Sequence, residues 1–185
     1  MSDAPLFSVP IDTSELVALA RRLENAPEEV LQALKLAMME ASDLLVLEAQ
    51  ERTPTASGNL RASIIAAMPV VQGDSVIGAV VSDQNQNSHA ALGAGSPLIY
   101  AVPVELGTKP HMPPLQPLMD WVKLKLGIRD MEEREQVAQK IRWKIYHHGT
   151  KGNLMFARAL AVCMGRIPGI FEHHMNVAIE RARGN

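Results

Sequence analysis

Cysteine is nearly absent from this chain of 185 residues: Cys163 is the only one, set in the apolar run 160–164. A lone thiol closes no internal disulfide, which excludes an oxidised scaffold and permits a reducing compartment. It reads as a small buried hydrophobe. Aromatic residues are scarce too, 4% of the chain against ten methionines, so the core has to be built from Leu, Ile, Val, Ala and Met. No charge sign dominates. Lys plus Arg number 18 and Asp plus Glu 20, a net of −2, which excludes a general nucleic-acid coat that binds by neutralising many phosphates. Long apolar runs are also missing: stretches such as 64–71 fall far below the ~20 residues that span a bilayer. Residues 1–10 carry Asp3 and two prolines in place of the basic start and apolar stretch of a signal peptide. The expectation is assembly in the cytoplasm, with no membrane partner.

Signals for chemistry are equally thin. The doublets His147-His148 and His173-His174, with His89 and His111, are the metal candidates. Neighbouring residues on a helix point about 100° apart, so a doublet rarely gives one ion two ligands. HExxH, CxxC and GxSxG are all missing. Gly107-Thr108-Lys109 and Gly149-Thr150-Lys151-Gly152 resemble phosphate loops only in passing, because neither completes the Walker spacing. With no nucleophile, base and oxyanion site to assemble, the chain is expected to be no enzyme and to hold no metal or cofactor. A small cytoplasmic enzyme or regulator is the rival of a different class, and a tightly bound metal or nucleotide would revive it.

What the sequence does hold is polarity along its length. Residues 1–100 carry 5 basic and 12 acidic side chains, a net of −7, and residues 101–185 carry 13 and 8, a net of +5. Such a division suits head-to-tail association, with an acidic face of one copy against a basic face of the next. Asp12 and Glu15 mark a first short helix ending near Asn25. A long amphipathic helix is predicted over 27–51, where Val30, Leu31, Leu34, Ala37, Met38, Ala41, Leu44 and Leu45 recur at three- and four-residue steps. Pro54 and Gly58 break it, 60–63 allows one helical turn, and the Ile- and Val-rich runs 64–71 and 76–82 read as a β-hairpin. Residues 83–97 form a long loop. The run 98–106 is either a third strand or a short helix, with Pro103 against a central strand. Prolines at 103, 110, 113, 114 and 117 predict an extended linker, followed by helices over 118–126 and 132–146, the latter capped by Asp130 and stopped by Gly149, and then over 156–164 and 168–181. The domain division is a helix-plus-sheet core at 1–109, a proline-rich linker with inserted helices at 110–148, and C-terminal helices at 149–185 completing the same domain. The fold class is α+β: a long amphipathic helix packed on a small antiparallel sheet, with additional C-terminal helices.

The strings Arg52-Thr-Pro-x-x-Ser-Gly-Asn-Leu-Arg-Ala-Ser-Ile64 and Tyr100-Ala-x-x-Val-Glu-x-Gly-Thr108 come in that order after the long helix. Together they resemble the tail-completion, or head-to-tail joining, family of long-tailed bacteriophages and prophages. The resemblance covers about 30–108, and 149–160 is similar to the family's closing segment. It departs at Thr55 and Ala56, where an acidic residue is common, and in the helical insertion 110–148. The resemblance implies a structural virion protein of the neck, assembled as a homo-oligomeric ring that joins the DNA-filled capsid to the tail. Six copies are the first expectation and twelve the second. Other neck and tail proteins are the implied partners, and genomic DNA passes through the ring without sequence-specific binding. A tail terminator or other minor tail ring is the alternative. The motif residues Pro54, Gly58, Leu60, Arg61, Tyr100, Glu105, Gly107 and Thr108 are then framework: Gly58 for the sharp exit from the helix, Leu60 and Ile64 to pin the turn, and Arg61 with Glu105 as an ion pair across the motifs. Asn85, Asn87 and His89 in the long loop, and Trp143 and Tyr146 off the main helical stripe, are candidate interface residues.

Overall fold

The computed structural model describes residues 28–73, 75–82 and 97–183. The expected first helix and the loop segment 83–96, with Asn85, Asn87 and His89, lie outside the described residues. The architecture is mixed α+β and mostly helical, organised around one long helix, α1 (Glu28–Arg52). Its 25 residues extend about 37 Å. Glu28 and Glu29 stand at its positive end and Arg52 at its negative end. Val30, Ala33, Leu34, Ala37, Met38, Ala41, Leu45 and Ala49 form its buried face, and the four alanines let neighbours approach closely.

Those neighbours lie on two sides. One is the hairpin β1 (Ile64–Gln72) and β2 (Ser75–Ser82), entered through the single turn α2 (Asn59–Ser63). Its register runs from Ile64 opposite Ser82 to Gln72 opposite Ser75, with an irregularity between Ala67 and Val70 where Pro69 has no N–H to give the ladder. Alternate residues of β2, Val76, Gly78, Val80 and Ser82, are buried. Gly78 is where the strand meets α1: a Cβ there would lie 2.6 Å from Met38 Sδ.

The other side is covered by α6 (Met155–Cys163) and α7 (Ile167–Arg183), whose Met155, Phe156, Ala159, Cys163, Ile167 and Phe171 complete the core with α1. Cys163 is fully buried, as its apolar run implied. Burial pushes its thiol up, the Glu48 carboxylate adds to that, and Arg166 and Arg52 oppose it in part. The thiol therefore stays protonated and covered at neutral pH. A thiol-reactive dye is expected to leave the native protein unlabelled over the minutes in which it fully labels the urea-unfolded chain; equal rates would show α6 open in solution.

Between these layers, α3 (Pro97–Leu106) leads into β3 (Gly107–Thr108), which pairs with β4 (Thr150–Lys151). The run 98–106 is thus helical even with Pro103 inside it. The proline-rich stretch is shorter than expected and not wholly irregular. Gly107 and Thr108 are paired, and α4 (Leu115–Leu126) starts before Pro117. Pro117 is tolerated because it occupies the first turn, where N–H groups have no helical acceptor. With α5 (Met131–His148), α4 forms a helical hairpin around its own small core of Met119, Val122 and Ala138. Asp130 caps α5 by accepting from Glu133 N at 2.8 Å, and Gly149 ends it at φ 68°.

Candidate functional site

The two sequence motifs meet where α1 ends, the hairpin begins and α6 starts. In the first motif the buried Thr53 turns its hydroxyl back onto Ala49 O at 2.7 Å and also meets Met155 Sδ of α6 at 3.3 Å. Pro54 is exposed and ends α1; Gly58, at φ 84°, sits at the start of α2 with nothing near an added Cβ. The glycine serves the backbone turn and not a close approach. Leu60 is half-buried against the core and Ile64 fully buried. The motif serine, Ser63, is hydrogen-bonded to Leu60 O at 2.8 Å and to Ser82 at 2.7 Å, closing the open end of the hairpin. Gln50 Nε2 donates to Ile64 O at 2.9 Å and ties the same corner to α1.

In the second motif the central residue is Glu105. It is 2% exposed, and its carboxylate accepts from Phe156 N at 3.0 Å and Ala157 N at 3.1 Å. These N–H groups belong to the first turn of α6, which has no intrahelical acceptors for them. The residue at the N-cap is Leu154, which has no side-chain acceptor of its own. A glutamate 51 residues earlier therefore caps the helix, and its negative charge lies on the positive end of the helix dipole. The contact is two-way. Asn153 N donates to Val104 O at 2.7 Å and Leu154 N to Glu105 O at 3.1 Å, so the last carbonyls of α3 are satisfied by the segment that opens α6.

This geometry overturns the expected pair between Arg61 and Glu105. Arg61 is exposed on α2 while the Glu105 carboxylate is buried with both oxygens engaged by α6. An exposed pair would have been weak in any case; backbone capping in a buried site holds the acid more firmly. Tyr100 lies on α3, and its side chain is outside the described residues.

The two Gly-Thr-Lys strings turn out to be partners. Gly107 opposes Lys151 and Thr108 opposes Thr150 in β3 and β4, the two threonine hydroxyls are 2.9 Å apart, and Thr150 N donates to Thr108 Oγ1 at 3.2 Å. Gly107 and Gly149 both have positive φ, 80° and 68°. A Cβ on Gly107 would overlap Thr150 O and sit 2.7 Å from Gly152 N, and one on Gly149 would overlap Thr108 O. Each glycine makes room for the backbone of the other string, and Lys109 and Lys151 point to solvent. The repeat was visible in the sequence, but its pairing was not.

Leu154 is the one non-glycine residue with positive φ among the described residues, at 56°, and its side chain is 47% exposed. Leu154→Asn is expected to raise the unfolding free energy by about 1 kcal/mol, because asparagine tolerates this left-handed conformation better than leucine. Urea titration with α-helical circular dichroism checks it; a loss of stability would mean that the leucine side chain contributes packing.

Trp143 and Tyr146 are 65% and 47% exposed on α5 and are not packed on α7. Their contacts are with His147, at ring-centroid distances of 4.2 and 4.9 Å. Among the described residues no group of three or more His, Cys, Asp or Glu side chains is placed to hold a metal, and no helix is long and apolar enough to cross a membrane. The residues that sequence reasoning missed are Thr53, Ser63, Gly78 and Phe156. Only Gly78, a glycine within a β-branched strand, carried a usable signal.

Residues 18–107 match the model of a protein family described as "Bacteriophage HK97-gp10, putative tail-component". No curated protein and no solved structure matches the chain. The matched span holds α1, the hairpin, the first motif and the second as far as Gly107; the α4–α5 hairpin, β4, α6 and α7 lie beyond it. Both strings fall within that span save Thr108, and over residues 18–107 the chain is similar to the HK97-gp10-like family of phage tail components.

Proposed function

We propose that this protein is a structural subunit of the head-to-tail connection, forming a ring of identical copies, six or else twelve, that joins the filled capsid to the tail. The observation that carries the reading is the use made of the motif residues. They are spent on capping, turning and close backbone contact, while a large apolar surface is left outside. Met68, Val70 and Val71 of β1 are 77%, 62% and 39% exposed, and among the described residues no strand pairs with either outer edge of the hairpin. A two-stranded sheet with open edges and exposed apolar residues is marginal alone and is completed by association. A near-neutral net charge of −2 suits a ring past which DNA slides without sticking.

Inactivating the gene in a phage that carries it should leave filled heads and full-length tails side by side, unjoined, in electron micrographs, and the added protein should join them. Tails of abnormal length would favour a tail terminator. Normal particles would overturn both readings.

A further inference from the structure

Two open helix faces lie on opposite sides of the charge division, and they complement each other. On α1, Leu36, Glu40, Asp43, Leu47 and Glu51 are all exposed and follow at steps of four, three, four and four residues, so they share one stripe about 22 Å long. Leu36 and Leu47, 49% and 62% exposed, lie about 16 Å apart on it, with Glu40 and Asp43 between them and Glu51 beyond Leu47. On α5, Lys140, Trp143, Lys144, Tyr146 and His147 are exposed on the helix's last two turns. The Trp143 and Tyr146 rings both meet His147, the first tilted at 52° and the second edge-on at 83°, giving a three-ring cluster with lysines beside it. The two faces do not meet within one chain. α1 packs on α6, α7 and the hairpin, and α5 packs on α4. On α1, His174 of α7 lies 2.7 Å from Glu40 Oε2, and Asp43, Leu47 and Glu51 are left exposed.

We propose that the α5 ridge of one copy docks on the α1 ridge of the next, with the ring cluster over Leu47 and with Lys140 and Lys144 facing Asp43 and Glu51. This inference rests on the ring reading above and names its contact. Single exposed leucines are ordinary on a protein surface; an exposed Leu47 set between Asp43 and Glu51, with an aromatic and cationic counterpart on the same molecule, is what fixes the occupant as a second copy. Because the two ridges differ, the contact is heterologous. Each copy offers one ridge and accepts the other, which is the requirement for ring growth and closure. The lysines supply orientation and encounter rate, and the rings supply buried area at the centre. The donor ridge lies on the hairpin outside the family-matched span, and the acceptor lies inside it.

The test uses the full chain in two charge-reversed forms, Lys140→Glu with Lys144→Glu and Asp43→Lys with Glu51→Lys, in sedimentation velocity at low salt. All four positions are exposed, so unchanged circular dichroism and melting verify folding. Each form alone should associate at least about tenfold more weakly than the unaltered chain, since like charges then face each other. An equimolar mixture of the two should recover the association, because every contact is again between opposite charges. In ~1 M salt the unaltered chain should also weaken, screening being nearly complete. Association by both reversed forms equal to that of the unaltered chain, or no recovery on mixing, overturns this contact while leaving the ring reading in place. An unaltered chain that is monomeric at every concentration, with no ring in isolated particles, overturns both. Binding of duplex DNA that is lost with Lys140→Glu and Lys144→Glu, while self-association persists, would assign the α5 ridge to nucleic acid and overturn the proposal.

Discussion

Glu105→Ala should lower the unfolding free energy by about 3 kcal/mol. The buried N–H of Phe156 and the part-buried N–H of Ala157 lose a charged acceptor, and each such bond contributes about 1.5–3 kcal/mol when the acceptor is ionised. Partial relaxation toward water keeps the sum below twice that figure. At 2–4 °C per kcal/mol for a chain of this size, the melting temperature falls by roughly 6–12 °C. Glu105→Gln retains a carbonyl oxygen for one N–H and loses the charge, so it should cost about half as much. Arg61→Ala should stay within about 0.5 kcal/mol, as expected for an exposed side chain away from any such contact. Urea titrations of the three variants decide the matter. An Arg61→Ala loss as large as that of Glu105→Ala, with no further loss in the double variant, would restore the ion pair in place of the cap.

Glu105 also marks the boundary of what the sequence could disclose. The long helix was legible because its apolar residues recur at helical steps over seven turns, and the hairpin because two β-branched runs flank Gly73. Asp130 and Gly149 announce the ends of α5 through local chemistry, within three or four residues of the groups they serve. The cap on α6 has no such local sign. Leu154 at the N-cap reads as an apolar residue, and its acceptor is 51 positions away. Sequence spacing pairs Arg61 with Glu105 because opposite charges in two motifs invite it; only the folded backbone reveals a stronger claimant on the carboxylate. Pro103 and Pro117 were read as breakers by residue type, yet one lies in a short helix and the other in a first turn. Trp143 and Tyr146 were identifiable as off-stripe residues, but their exposure depends on α5 packing on α4 and the 111–113 segment and leaving that face open. The family resemblance rests on motif order, and it located the framework without stating what each residue does there.

Gly149→Ala is expected to be the most damaging single methyl in the chain, costing about 3–5 kcal/mol. Alanine at φ 68° already carries about 1–2 kcal/mol of steric strain. The greater part comes from the partner string. The new Cβ would overlap Thr108 O and lie 2.9 Å from Lys109 C, which are backbone atoms with no rotamer to change. The β3–β4 pairing must separate to admit it, and Glu105, two residues before Gly107, would move with β3. Gly107→Ala meets the reciprocal obstacle at Thr150 O and Gly152 N and should cost a similar amount. Since either methyl opens the same joint, the double variant should lose far less than the sum of the two. Gly127→Ala is the control: its φ is 71°, yet nothing lies within 4 Å of an added Cβ, so only the strain of about 1–2 kcal/mol remains. Denaturant titrations measure all four, and amide exchange at Phe156 and Ala157 should accelerate in Gly149→Ala while remaining unchanged in Gly127→Ala. Equal losses at Gly127 and Gly149 would mean that the glycines serve their own turns alone. Strict non-additivity would show that two short identical strings, 42 residues apart, work as one joint that holds the family's helix-and-hairpin framework to the helices that complete its core.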